Sequence, residues 1–259
     1  MGRGVNIALP PMHAWRVAAL AMMDADELHR VLAADSSDAA PWVEAAAAGG
    51  IAEAQVRLGR MLLAGEGVAK DFQGAFACFR RAANSGDAEA QNMLGCCYEN
   101  GWGAAVDPAS AVACYRRAAE AGLAWAQYNL GHMLLDGVGV ARDLEAAFIW
   151  YRRAAEQGHA RAMNLAGRCY EEGWGIARDP AAARAWYRRS AEGGYFRGAY
   201  NYASILASEG CIADATVWFK KALATAPEPT RGNILRILAR NNPPRYGAAN
   251  VIESFDFVG

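Results

Sequence analysis

The sequence has almost no net charge, because 26 lysine and arginine residues balance 27 aspartate and glutamate residues to leave −1. That balance provides no overall field to attract nucleic acid or an anionic membrane. No uncharged apolar run reaches 18 residues, so no membrane span is predicted. The best candidate for a secretory peptide, residues 17–23, has an apolar stretch of only 7 residues. We therefore expect a cytoplasmic protein, and the less favoured alternative is an exported protein that interacts with a host or with the cell envelope.

Familiar signatures of catalytic and metal sites are also missing. The chain contains no C-x-x-C pair, H-E-x-x-H, G-x-S-x-G or phosphate-binding loop, and no serine is followed by lysine three residues later. We predict from this that the protein is not an enzyme and has neither a metal nor a cofactor.

Cysteine is present, but its spacing does not match a disulfide framework. The six cysteines are Cys78, Cys96, Cys97, Cys114, Cys169 and Cys211. Cys78 and Cys114 are 36 residues apart, which is the interval of the repeat described next. Equivalent positions in stacked repeats lie farther apart than the ~7 Å between Cα atoms that a disulfide allows. The cysteines are therefore predicted to be small buried side chains in a reducing compartment.

What the sequence does contain is an internal repeat with a period of 36 residues. Several kinds of residue keep this interval independently. They include the glycines Gly59, Gly95, Gly131 and Gly167, the aspartates Asp71, Asp107, Asp143 and Asp179, and the arginine pairs that begin at Arg80, Arg116, Arg152 and Arg188. Each period also contains a Gly-x-Gly, as at Gly137 and Gly139. So many markers on one interval indicate repeated structural units.

Each period is predicted to form two antiparallel helices. In the third, residues 123–136 have apolar side chains at spacings of three and four, which is typical of an amphipathic helix. The following glycines end that helix, because glycine tolerates a left-handed backbone. Asp143 then caps a second helix over residues 144–157 by accepting hydrogen bonds from free backbone N–H groups. The fold class is therefore all-α, with four helical hairpins stacked in series over residues 51–194.

The two ends depart from the repeat, as terminal repeats do when one face meets water. Residues 1–50 are predicted to form cap helices, including one over 12–34, and a degenerate leading repeat that keeps register at Asp35. Residues 195–226 are predicted to form a degenerate hairpin, and 227–240 a capping helix. Residues 241–259 are a tail whose acidic and aromatic segment, 253–257, is expected either to be disordered or to dock on a partner or in the chain's own groove.

The repeat resembles the Sel-one-like repeat (SLR), a relative of the tetratricopeptide repeat. The third repeat carries the pattern best. Its matching residues are Ala126-Gln127, Leu130-Gly131, Gly137-Val138-Gly139-Val140, Asp143, Ala147, Trp150-Tyr151-Arg152-Arg153-Ala154-Ala155-Glu156 and Gly158. The resemblance implies a right-handed α-solenoid that serves as an adaptor or scaffold for protein complexes. The fifth hairpin is more similar to a tetratricopeptide hairpin.

Resemblance to tetratricopeptide repeats also implies which side chains line the concave face. They lie six, three and two residues before the marker glycine, and one and four residues after it. The candidate partner-binding residues at these positions are Arg57, Arg60, Glu89, Asn92, Trp125, Tyr128, Asn129, His132, Arg161, Asn164, Arg168, Arg197, Tyr200 and Asn201. The expected partner is a protein or peptide segment.

The polar members of this set allow two interpretations. One asparagine in each of four successive hairpins forms a ladder, consisting of Asn92, Asn129, Asn164 and Asn201. Their amides either bind a peptide backbone or satisfy neighbouring helices. Arg161, Arg168 and Arg197 have the chemistry to pair with carboxylates of a partner.

Two further pairs of residues also leave alternatives open. Trp102 and Trp174 lie inside the glycine loops, where packing against the adjacent hairpin is favoured over a role as exposed anchors. Cys96 and His132 occupy the same face of neighbouring repeats, and this is the one feature that favours an enzyme or an accessory enzyme subunit.

Overall fold

The computed structural model describes residues 39–240 and, before them, residues 16, 19, 20, 22–24, 26 and 30. Their regular structure is entirely helical. In chain order the helices of residues 40–240 are α1 (Ala40–Ala48), α2 (Ala52–Ala64), α3 (Phe72–Asn84), α4 (Ala88–Asn100), α5 (Pro108–Glu120), α6 (Ala124–Asp136), α7 (Leu144–Glu156), α8 (Ala160–Glu172), α9 (Pro180–Glu192), α10 (Phe196–Ser208), α11 (Ile212–Thr225) and α12 (Glu228–Arg240). The predicted all-α class with a 36-residue period is confirmed. Most of the predicted helix over 12–34, together with Asp35 and the tail 241–259, lies outside the described residues.

The chain divides into two compact units after Ala121. The first unit contains α1 and the hairpins α2–α3 and α4–α5, and each helix packs against the next. The second contains the hairpins α6–α7, α8–α9 and α10–α11, with the same serial packing and an additional contact between α8 and α10. Helix α12 joins the core of the second unit through Ile234 and Leu238, which pack with Phe219 and Leu223. Within each unit the hairpins therefore stack in chain order, as the repeat predicts.

The predicted signals start and stop the helices. Asp143 is the N-cap of α7, where its side chain accepts a hydrogen bond of 2.9 Å from the Ala146 N–H, and Asp179 accepts from two N–H groups of α9. At the other end of the first helices, Gly137 and Gly173 adopt left-handed φ angles of 70° and 77°. A side chain with a Cβ would be strained at those two positions.

The marker glycines bring the two helices of a hairpin together. A Cβ built on Gly131 would lie 2.5 Å from the ring of Tyr151, and one on Gly167 would lie 2.8 Å from the ring of Tyr187. Both tyrosines are completely buried. Because glycine has no side chain, it leaves a space on one helix that an aromatic ring of the next helix fills. This contact sets how closely the two helices pack.

The second glycine of the loop serves a different purpose in the second and fourth repeats. A Cβ on Gly103 would overlap the backbone of Phe72, and one on Gly175 would overlap the backbone of Leu144. The loops that carry Trp102 and Trp174 thus pack directly against the first residue of a helix in the preceding repeat. Trp102 is half-buried against the core of the first unit, in line with the favoured packing interpretation.

Candidate functional site

The second compact unit contains a cavity of about 300 Å³. Its walls come from α6, α8 and α10, which are the first helices of three successive hairpins, and from α12. The lining residues are Tyr128, His132, Arg161, Asn164, Leu165, Arg168, Tyr195, Phe196, Arg197, Tyr200, Asn201, Thr230, Asn233, Ile234 and Ile237. The cavity is therefore built by the helix face that the repeat pattern marked as inward.

Eight of the fourteen predicted binding residues line this cavity. They are Tyr128, His132, Arg161, Asn164, Arg168, Arg197, Tyr200 and Asn201. Trp125 lies beside it, with the Arg161 guanidinium 5.4 Å from its ring centroid, whereas Asn129 is not a lining residue.

The other four predicted residues, Arg57, Arg60, Glu89 and Asn92, belong to the first unit. There Arg60 and Glu89 form an ion pair with each other, and Asn92 is buried. These residues of the first unit are not part of the cavity.

Among the described residues, the cavity carries positive charge without a compensating acid. Arg161, Arg168 and Arg197 line it, and the lining residues within 39–240 include no aspartate or glutamate. In the described part of the chain, none of these three arginines has a carboxylate oxygen within 4 Å. The site is therefore suited to an anionic group supplied from outside.

Aromatic rings hold the three guanidinium groups. Arg161 lies 5.8 Å from the ring centroid of Tyr195, Arg168 lies 4.7 Å from that of Trp174, and Arg197 lies 5.7 Å from that of Phe196. A cation at this distance from an aromatic face is attracted to it, by about 0.5–1 kcal/mol at exposed sites. The rings therefore restrict the arginine side chains, and Arg161 in addition forms a side-chain hydrogen bond with Tyr128.

Two of the predicted asparagines bond to each other. The amide of Asn201 donates a hydrogen bond of 2.9 Å to the side-chain oxygen of Asn164, which is buried. For this pair the geometry supports the interpretation that asparagines of the ladder satisfy neighbouring helices. The pair also links α8 to α10 at the wall of the cavity.

Aromatic and imidazole rings surround the arginines at the α6 end. Tyr128 packs against His132 with 4.6 Å between ring centroids, and against His159 with 5.0 Å. Burial, reinforced by the nearby Arg161 charge, lowers the pKa of His159 to about 4, and its Nδ1 accepts a hydrogen bond from the Ala162 N–H. Burial raises the pKa of Tyr128. At neutral pH His159 and Tyr128 therefore add no charge beside the arginines.

A model of the Sel1 repeat matches residues 52–87, 88–123, 126–159 and 160–195. The chain belongs to the Sel1 repeat family. The four matches cover more than half of its residues and coincide with the four hairpins α2–α3 to α8–α9. Sel1 repeat proteins generally act as scaffolds for protein interactions.

Two solved structures are similar in both sequence and fold. A Sel1 repeat protein from Oxalobacter formigenes is 28% identical with a TM-score of 0.70, over 89% of this chain and 97% of that one. A protective antigen of uropathogenic Escherichia coli with an SLR fold is 29% identical with a TM-score of 0.67, over 80% of this chain. This chain spans 44% of that antigen's length.

An immunity protein from Pseudomonas aeruginosa shares the fold alone, at 18% identity and a TM-score of 0.51, over 78% of this chain and 75% of that one. Among curated protein sequences, none matches this chain significantly.

Burial disfavours the reactive thiolate form at Cys96, Cys97 and Cys169 of this Sel1 repeat protein. Burial raises the pKa of Cys96, and it raises the pKa of Cys97 and Cys169 to about 12. A reactive cysteine requires a lowered pKa. Cys96 and His132, moreover, lie in different compact units.

All six cysteines are free. Within the described residues no group of three or more His, Cys, Asp or Glu side chains is arranged to hold a metal ion. No helix in that part of the chain combines the length and the apolar character needed to span a membrane.

Helix α12 supplies residues of the site that the repeat pattern did not identify. Thr230, Asn233, Ile234 and Ile237 close one side of the cavity. The sequence indicated a helix here from the spacing of Ile234, Leu235 and Leu238, but this segment has no repeat register from which an inward face follows.

Proposed function

We propose that this Sel1 repeat protein is a non-enzymatic interaction scaffold whose second unit holds a peptide segment of a partner. The observation that carries the proposal is the cavity lined by Arg161, Arg168 and Arg197, whose other lining residues in the described part of the chain include no acid. Guanidinium groups bind carboxylates through charge-assisted, often bidentate hydrogen bonds, which are about twice as strong as neutral ones. The segment that fits best therefore carries acidic side chains.

The rest of the wall favours a segment that is also apolar. Tyr195, Phe196 and Tyr200 present aromatic surface, and Ile237 adds aliphatic surface that is 43% exposed. About 300 Å³ lies at the lower end of the range for binding pockets, so the cavity accommodates a few side chains and the rest of the partner lies outside it.

Pre-organisation supports binding at this site. The guanidinium groups are already held over aromatic rings, and the cavity wall is built on helices that pack in series. Fewer side-chain rotamers are therefore lost when a ligand binds, and more of the interaction energy appears as affinity.

A non-enzymatic role and a cytoplasmic location complete the proposal. Raised thiol pKa values support the first, since a cysteine nucleophile needs the opposite shift. Free, mostly buried cysteines support the second, because secreted proteins with several cysteines usually pair them. The intact mass of the protein purified from its native cell tests the location, because export through a signal peptide would shorten the chain at its N-terminus.

The binding proposal is tested by charge reversal. The variant R161E/R168E/R197E should lose partners that wild-type protein captures from native cell extract, while its circular dichroism remains unchanged. A control of equal charge is R153E/R178E/R189E, because these arginines are exposed and do not line the cavity. Chemical cross-linking of the captured complex should place the partner on α8, α10 or α12. Capture by the triple variant at wild-type levels would place the interaction elsewhere on the protein.

A further inference from the structure

The segment 253–257, Glu-Ser-Phe-Asp-Phe, has the chemistry that the cavity requires. We propose that this segment of the chain's own tail binds in the cavity and competes with the partner. The inference rests on the proposed function, because it assigns the same site an intramolecular ligand.

Charge is the first argument. Arg161, Arg168 and Arg197 line the cavity, and no acidic residue is found among the wall residues that the structure describes. Residues 246–259 contain two acidic side chains, Glu253 and Asp256, and no lysine or arginine. The acid that the wall lacks is thus carried by the same chain.

Apolar surface is the second argument. Phe255 and Phe257 alternate with Ser254 and Asp256 in the sequence. In an extended segment such alternation places both aromatic side chains on one face. The cavity offers matching aromatic and aliphatic surface from α10 and α12, and pairs of aromatic rings attract each other beyond the effect of the area that they bury.

Proximity is the third argument. Helix α12 lines the cavity as far as Ile237 and ends at Arg240, only three residues later. Thirteen peptide units join Arg240 to Glu253, which gives a maximum reach of about 43 Å at ~3.3 Å per residue. For comparison, a random-coil chain of 13 residues has an r.m.s. end-to-end distance of about 20 Å. That is close to the length of α12 itself at ~1.5 Å per residue, so the segment can reach every part of the wall.

Because the tail segment is tethered to the protein, even a low intrinsic affinity gives a high occupancy of the cavity. A short flexible tether gives an effective concentration on the order of 1 mM. If the free segment binds with a Kd of about 0.1 mM, the tethered segment occupies the cavity in roughly nine of ten molecules. A partner then binds about tenfold more weakly than it would to an open cavity. A partner segment must therefore bind the cavity with higher affinity than the tail does in order to displace it, which favours segments that are both acidic and aromatic.

The experiment uses the full chain and one defined probe, a fluorescein-labelled peptide with the sequence of residues 250–259. Fluorescence polarisation measures its Kd for wild-type protein and for E253K/D256K, in which the tail can no longer pair with the arginines. We expect the tail variant to bind the probe about tenfold more tightly. A matched control, E145K/D214K, changes two exposed acids of the second unit by the same charge and should bind like wild type.

A third variant tests whether the probe binds in the arginine-lined cavity. Adding R161E/R168E/R197E to the E253K/D256K chain should abolish probe binding. Equal Kd values for wild type and E253K/D256K, or binding that survives the arginine changes, would overturn the intramolecular ligand. A complete lack of probe binding to E253K/D256K would also overturn it. So would a wild-type dimer that is lost in E253K/D256K, because the tail would then bind to a second copy of the chain. None of these results decides the proposed function, which depends on capture of a partner by wild type and its loss in R161E/R168E/R197E.

Discussion

Substituting Tyr151 by phenylalanine is expected to stabilise the protein, whereas the same substitution one repeat later is expected to destabilise it. Tyr151 and Tyr187 are equivalent, 36 residues apart, and both are completely buried. The hydroxyl of Tyr187 donates a hydrogen bond of 2.5 Å to the carboxylate of Glu171. The residue equivalent to Glu171 in the third repeat is Leu135, and the Tyr151 hydroxyl has no hydrogen-bond partner among the described residues.

The difference in hydrogen bonding sets the size of each effect. A buried, unsatisfied polar group costs about 1–3 kcal/mol, so Tyr151→Phe should raise the free energy of unfolding by about 1 kcal/mol. A hydrogen bond to a charged group contributes about 1.5–3 kcal/mol, and Glu171 is exposed. Tyr187→Phe should therefore lower that free energy by about 1.5 kcal/mol, the low end of this range. Ring packing cancels in the comparison, because each ring fills the space beside a marker glycine.

Urea denaturation followed by circular dichroism measures both variants, with unchanged m-values as the condition for comparing them. A third variant, Leu135→Glu, supplies the missing carboxylate and should reverse the sign of Tyr151→Phe when the two are combined. Equal losses of stability in Tyr151→Phe and Tyr187→Phe would refute the reasoning, since the hydroxyl of Tyr151 would then have a partner.

Three other predictions concern the helices and their packing. Gly167→Ala should lower the free energy of unfolding by about 1–3 kcal/mol in urea denaturation, because its Cβ would lie 2.8 Å from the Tyr187 ring; no change would mean that this ring moves freely. Asp143→Ala should lower it by about 1 kcal/mol through loss of the α7 cap, and Asp143→Asn, which keeps an acceptor, should recover most of that loss. Between pH 6.5 and 4 the unfolded His159 binds a proton that the folded protein does not, so wild-type stability should fall as pH falls through this window. Thermal unfolding of His159→Asn, which keeps a cap acceptor, should show a smaller fall, and equal slopes would argue against a buried neutral imidazole.

The hairpins were predictable because their determinants are local. Gly131 and Tyr151 are 20 residues apart in one hairpin, and Asp143 caps the helix that begins at the next residue. Such short-range relations recur at a fixed interval, so the sequence alone reveals them. The convergence of Tyr128, Asn164 and Tyr200 on one cavity then follows from equivalent positions in hairpins that stack in series.

The details that were not predictable depend on contacts between distant or non-equivalent residues. Asn201 bonds Asn164 across 37 residues, and nothing in either residue's neighbourhood distinguishes this pairing from an amide that faces a ligand. The side chains of α12 that close the cavity follow no period, so their orientation depends on how this helix packs against the core. The division of the chain after Ala121 leaves no mark in the 36-residue pattern either.

The turn glycines Gly86, Gly122, Gly158 and Gly194 have positive φ angles, and a Cβ built on any of them would meet no atom within 4 Å. The polypeptide at each turn therefore borders open solvent, and the contacts that hold a hairpin together lie elsewhere. The turns at Gly86 and Gly122 have flanking residues that do not line the cavity, whereas Gly194 directly precedes Tyr195 of the cavity wall. An epitope or a fluorescent label inserted at Gly86 or Gly122 would therefore extend into solvent and leave the arginine-lined cavity intact.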